Sequence, residues 1–200
     1  LLLLLSSPLA AQTTGLRATI NLPSHTLTVY EHGLVKRQYP VAIGAVTNKT
    51  PTGSAVVINR VKDPTYYPPN WGTLGLEPVP PGPDNPVGSI WIGLDWPGYG
   101  IHGTNSPSSI GRTVSLGCIR MHNNHVEELY QLVRVGTPVD ITYNVVELGS
   151  LADPWPSLTI HADVYNRQPD YFQEAAQQLY PLGIWEQVDE QALRHLLDSG

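Results

Sequence analysis

One thiol and one imidazole frame a stretch that could do covalent chemistry. Cys118 is the only cysteine of the chain, and His102 precedes it in a run from Tyr99 to Met121 rich in small, hydroxylated and turn-forming residues. The run has hardly any apolar periodicity, so it reads as a loop crossing an active site and not as a core segment. A thiol attacks as thiolate, and a nearby imidazole both lowers its pKa and accepts its proton. Gly117 would let the backbone approach a substrate closely, with the Gly117 and Cys118 amides aimed at a developing oxyanion. Arg120, two residues past the thiol, would project from the same side of an extended segment as a fork for a substrate carboxylate. A lone cysteine is more often a small buried hydrophobe, and a Cys/His pair is recognised by geometry and not by sequence position. Residue types alone leave both readings open.

Two half-motifs, Ile101-His102-Gly103-Thr104 and Ser115-x-Gly117-Cys118-Ile119-Arg120-Met121, resemble the L,D-transpeptidase catalytic domain (YkuD type) of bacterial cell-wall synthesis. The likeness continues through Asn105-Ser106-Pro107-Ser108-Ser109-Ile110-Gly111 between them, Thr50-Pro51-Thr52-Gly53 upstream and Val135-Gly136-Thr137-Pro138-Val139 downstream. One position departs: Leu116 stands where the family usually has a second histidine. The resemblance implies a mainly β, L,D-transpeptidase-like β-sandwich with one packed helix. It implies Cys118 as nucleophile and His102 as base, with the imidazole held by the Gly103 carbonyl and the oxyanion by the Gly117 and Cys118 amides. Ser115 would orient the turn, and Arg120, Thr104 and Tyr99 would face substrate. The implied partners are peptidoglycan peptide stems and carbapenem-type inhibitors, and the implied chemistry needs neither metal nor organic cofactor. An L,D-carboxypeptidase, with water replacing the acceptor amine, and a non-catalytic wall-binding module are the competing readings. A papain-like protease is disfavoured, because there the cysteine precedes the histidine.

The elements that must position these groups are mostly strands. Among 200 residues, 19 prolines and 18 glycines with only 14% charged residues favour short strands and many turns over helices. A hydrophobic content of 41% supplies a core, and a formal charge of −6 argues against a nucleic-acid or anionic-surface binder. Residues 1–11 read as a signal-peptide remnant with a small-residue cleavage site near Ala10 or Ala11, too short to span a bilayer. The expected location is therefore outside the cytoplasm, at the cell wall, periplasm or extracellular face of a bacterium, with no stable membrane span in the mature chain.

The catalytic domain is expected over residues 16–146. Leu27 and Val29 alternate with Thr26 and Thr28, and Glu31-His32-Gly33 turns the chain into a second strand with Val35, Tyr39, Val41 and Ile43 on one face. Ala55-Val56-Val57-Ile58 predicts a buried strand. The proline-rich stretch 63–88, with Tyr66, Tyr67 and Trp71, excludes regular helix or central strand and predicts a flap beside the site. Ile90 to Leu94 and Tyr99 to His102 predict two strands, the second sending Ile101 to the core and His102 to the cleft. Asn124 and Glu127 suggest a capping box for a helix carrying Val126, Leu129, Leu132 and Val133, ended by Gly136 and Pro138. Val139, Ile141 and Tyr143 predict a closing strand. Residues 147–157 read as a linker, and 158–200 as a small helical module, truncated at its end, with helices at 170–179 and 189–197.

Overall fold

The computed structural model describes residues 15–149 and 157–198. The expected leader remnant at 1–11 lies outside these residues, as do residues 150–156 of the expected linker. The chain is mainly β, a curled sheet with few helices, as expected. Strands β1 (Leu16–Asn21), β2 (Thr26–Glu31) and β3 (Leu34–Pro40) form an antiparallel meander. His32 and Gly33 turn β2 into β3 with φ of 53° and 81°, the pair of positive values that a tight hairpin with matching twist requires. Leu27 and Val29 point inward and are fully buried. The face expected for Val35, Tyr39, Val41 and Ile43 breaks at its first member. The register slips between Val29 and Tyr30, and a slip of one residue turns Val35 to solvent while the other three stay buried.

After β4 (Ile43–Gly44), the long strand β5 (Gly53–Lys62) corrects a second expectation. Ala55 and Val57 are buried, but Val56 and Ile58 are exposed, because the sheet is covered on one face only at this point. The proline-rich stretch then leaves the sheet. It holds a single helical turn, α1 (Trp71–Leu74), and a bridge between Tyr66 and Val79. Fully buried Asn85 ties its ends together, donating to the Pro64 carbonyl at 2.7 Å and accepting from the Val87 amide at 2.9 Å.

The chain returns through β6 (Ile90–Leu94), β7 (Gly100–His102), β8 (Thr113–Ser115) and β9 (Ile119–Arg120). Helix α2 (Asn123–Leu132) and strand β10 (Pro138–Thr142) complete the unit. One eight-stranded sheet runs β3-β2-β1-β10-β5-β6-β7-β9, with β4 and β8 as a parallel pair beside it. The strand expected to close the domain is inserted at its centre: β10 lies parallel to β1 and antiparallel to β5, ends at Thr142, and locks the start of the sheet to its middle. Helix α2 buries Val126 and Leu129, as its periodicity requires. Its capping box does not form. His122 precedes the first turn without a side-chain cap, Glu127 accepts from Ser89 Oγ at 2.7 Å, and Asn123 is spent on Thr104. Ile101 and Ile119, register partners in β7 and β9, are each 1% exposed. Truncating either to alanine would cost about 2–5 kcal/mol.

Beyond β10, β11 (Val146–Leu148) pairs antiparallel with β12 (Leu158–Ile160). Helices α3 (Tyr171–Leu179) and α4 (Glu190–Asp198) fall where the sequence predicts them, and Asp170 caps α3 by accepting from the Gln173 amide at 2.9 Å. Val145, Val146, Ala175 and Leu197 make a small second core. Tyr165 belongs instead to the main core.

Candidate active site

Three neighbouring strands bring the chemistry together. His102 ends β7 and Arg120 ends β9, and the two are register partners in the parallel pair. Trp91 of β6 faces His102 from the other side. Cys118 immediately precedes β9. Because strand side chains alternate, Ile101 and Ile119 enter the core while His102, Cys118 and Arg120 line one open cavity of about 940 Å³. The proline-rich stretch forms the opposite wall with Tyr66, Tyr67, Pro69 and Pro86, as a flap beside the site should.

The imidazole is held in one state. His102 is 5% exposed, stacked by Trp91 at 5.8 Å between ring centres, and its Nδ1 lies 2.6 Å from the Gly103 carbonyl. A carbonyl can only accept, so Nδ1 carries the hydrogen and Nε2 keeps the lone pair. Burial lowers the pKa to about 4; the Gly103 carbonyl opposes the shift and the Arg120 charge adds to it. The thiol of Cys118 donates to the Gly98 carbonyl at 3.4 Å. Burial raises its pKa, against pulls from the Gly100 backbone and from Arg120. Both shifts favour the uncharged forms, thiol and neutral imidazole.

The turn that carries the thiol is tightly bonded. Ser115 Oγ donates to the Cys118 carbonyl at 2.6 Å and accepts from the Gly117 amide at 3.0 Å. The Gly117 N–H, expected as an oxyanion donor, is thus engaged within the turn. The Cys118 amide has no protein acceptor among the described residues. Gly117 has φ of 116°, and a Cβ there would sit 2.9 Å from Tyr99 Cε1, so the position demands glycine. Tyr99 is thus a packing partner of the turn and does not line the cavity. Thr104 does not line it either: it is buried, and its hydroxyl accepts from the Ser106 amide at 3.0 Å. Arg120 does line it, and its Nε is buried without a hydrogen-bond partner. Leu116 sits at the cavity mouth, 66% exposed.

Three positions escape the sequence reading. Trp91 stacks on His102, and counting register outward from that residue would have found it. Asn123 accepts from the Thr104 amide at 2.9 Å and donates to its carbonyl at 3.1 Å, fixing the loop that holds Gly103. Buried Thr50 Oγ1 donates to the Gly117 carbonyl at 2.8 Å. No local pattern announces these two, because their partners are distant in sequence.

The family model of the L,D-transpeptidase catalytic domain (YkuD) matches residues 16–141, which holds the sheet, the thiol and the imidazole. The chain belongs to this family. The YkuD protein of Bacillus licheniformis, assigned to the L,D-transpeptidases by name, is 41% identical over 126 residues, covering 63% of this chain and 65% of its own. A crystal structure of an Enterococcus faecium L,D-transpeptidase is 28% identical with a TM-score of 0.52, covering 64% of this chain and 49% of that one. An L,D-transpeptidase, LdtMt1, solved in complex with imipenem shares the fold at 24% identity, with a TM-score of 0.51 and coverage of 64% and 59%. The chain thus spans about two thirds or less of the length of these L,D-transpeptidases.

Proposed function

We propose that this chain is a cysteine-dependent peptidoglycan L,D-transpeptidase. The observation that carries the reading is the cavity in which a tautomer-locked imidazole, the sole thiol and a guanidinium with an unpaired buried N–H share one wall. His102 Nε2 takes the proton of the Cys118 thiol as sulfur attacks the carbonyl carbon before the terminal D-alanine of a tetrapeptide stem. The Cys118 amide donates to the oxyanion. As the tetrahedral adduct collapses, the C–N bond breaks, His102 returns the proton to the departing D-alanine amine, and a thioester remains on Cys118. The side-chain amine of a second stem then attacks the thioester, His102 accepts its proton, and sulfur leaves to be reprotonated. Arg120 offers its fork to a stem carboxylate.

Burial does specific work here. A neutral base beside a neutral thiol creates charge only in the transition state, where the Cys118 amide meets it. The wall-facing role agrees with the expected export, and among the described residues no helix is long and apolar enough to cross a membrane. The test is incubation of the purified protein with tetrapeptide muropeptides, followed by mass spectrometry. Cross-linked dimers with loss of D-alanine support transpeptidation; tripeptides alone would assign hydrolysis, and unchanged muropeptides would leave only a binding module.

A further inference from the structure

The nucleophile turn is braced from outside the matched domain. Tyr165 lies beyond residue 141, where the family match ends, yet it is 1% exposed in the main core. Its hydroxyl donates to the Gly44 carbonyl at 2.8 Å and accepts from the Thr50 amide at 3.0 Å. Thr50 Oγ1 in turn accepts from the Gly44 amide at 2.9 Å and donates to the Gly117 carbonyl at 2.8 Å. The phenol therefore closes a ring of three hydrogen bonds with Gly44 and Thr50, and a fourth bond, from Thr50 Oγ1, reaches out of the ring to grip the residue before the nucleophile. Every hydrogen-bonding group of this bridge is buried, so none exchanges its partner for water without cost.

The gripped carbonyl has a second face. The Gly117 carbonyl and the Cys118 N–H belong to one planar trans peptide and point in opposite directions. Fixing the carbonyl on Thr50 consequently fixes the direction of the Cys118 N–H, which has no protein acceptor among the described residues. The clamp also has little slack: an added Cβ at Gly44 would fall on the Asn48 carbonyl and lie 3.0 Å from Gly117 Cα. Tyr165 itself is held by its own surroundings. Its amide donates to Tyr143 Oη at 2.8 Å, that hydroxyl donates to Asp163, the two rings stack at 5.8 Å, and Lys49 Nζ donates to the Tyr165 carbonyl at 3.0 Å.

We propose that Tyr165 is a positioning residue for acyl transfer: through Thr50 it aims the Cys118 amide at the oxyanion, making the segment after β10 part of the catalytic apparatus. The proposal rests on the acyl-transfer reading of Cys118. It distinguishes two reactions of one thiol. Acylation by a β-lactam passes through an oxyanion and needs an aimed donor, whereas alkylation by iodoacetamide displaces iodide and forms no oxyanion.

The test compares both rates in the full chain for wild type, Tyr165→Phe, Thr50→Val and Thr50→Ser, with imipenem and iodoacetamide as the probes. Tyr165→Phe should slow imipenem acylation about tenfold and Thr50→Val about a hundredfold, while alkylation changes less than about twofold. Thr50→Ser, which keeps the oxygen, should acylate near the wild-type rate. Should Tyr165→Phe fail to fold, the contrast between the valine and serine variants at Thr50 reads the same split. Equal slowing of both reactions would mean that the clamp merely holds the loop together, and unchanged acylation would mean that it does nothing for the site; either overturns the proposal. A wild type that gives no imipenem adduct at all defeats the acyl-transfer reading itself, and the proposal with it.

Discussion

On the wall built by β7 and β9, the groups around the thiol are held by named, mostly buried partners: His102 by Gly103 and Trp91, the thiol by Gly98, the turn by Ser115 and Thr50. On the facing wall, the proline-rich flap makes short-range turns between Pro68 and Leu76 and between Gly82 and Gly88, and is tied across its length by the Tyr66–Val79 bridge, at 2.9 Å each way, and by Asn85 at its base. Tyr67 and Trp71 pair at 5.4 Å yet stay largely exposed. The contrast separates two tasks. Buried long-range hydrogen bonds fix side chains within fractions of an ångström, while proline stiffness and aromatic surface shape a groove without dictating one geometry. Changes on the first wall should therefore strike the chemical step, and changes on the second should strike recognition.

The sharpest break comes at His102. Its replacement by glutamine should slow acylation at neutral pH by roughly a hundredfold to ten-thousandfold. Because burial raises the thiol pKa above its usual 9.0, unaided ionisation should restore part of the rate only in strongly alkaline solution. An acylation rate–pH profile checks this, and unchanged neutral activity would remove His102 from the mechanism. Next is Arg120→Lys, which keeps the charge but loses the fork, and should cut turnover of stem peptides by about tenfold or more. If Arg120→Ala turns over normally, the assigned role is wrong.

Across the cavity the expected effects are smaller and of a different kind. Tyr67→Ala should raise KM for stem peptides several-fold, roughly the 1 kcal/mol of one aromatic contact, and leave iodoacetamide alkylation of Cys118 untouched. A fall in alkylation would show that the flap also shapes the thiol's surroundings. Smallest is Leu116→His at the mouth between the walls. An imidazole there, largely exposed to solvent, should favour the thiolate and speed turnover by only about twofold, with a lower apparent thiol pKa in the alkylation profile. Wild type without turnover, gaining it only with Leu116→His, would instead favour a wall-binding module.

The same contrast governs what could be read in the sequence. The alternation that sends Ile101 inward and His102 outward, the β2–β3 turn and the stripes of α2 and α3 are local, and local periodicity shows them directly. What failed depended on partners far along the chain. The register slip that exposes Val35 comes from pairing, and the exposure of Val56 and Ile58 depends on what covers the sheet. Asn124 looked like a cap because an Asn before an apolar stripe usually is one; its neighbour Asn123 was already committed to Thr104. Within the site, residue types and spacing gave Cys118, His102 and Arg120 as candidates. They could not tell that the Gly117 amide is consumed by Ser115, that the Thr104 hydroxyl is consumed by Ser106, or that Tyr165 reaches back to Gly44 and Thr50.

The central claim is that Cys118 carries the acyl group, and intact-protein mass spectrometry reads it directly. A tetrapeptide stem whose own side-chain amine is acetylated should add to the wild type its mass less that of D-alanine, and digestion should place the adduct on the peptide containing Cys118. Cys118→Ala should remain at its own mass under the same conditions. An adduct on any other residue, or one that persists in Cys118→Ala, would contradict the account.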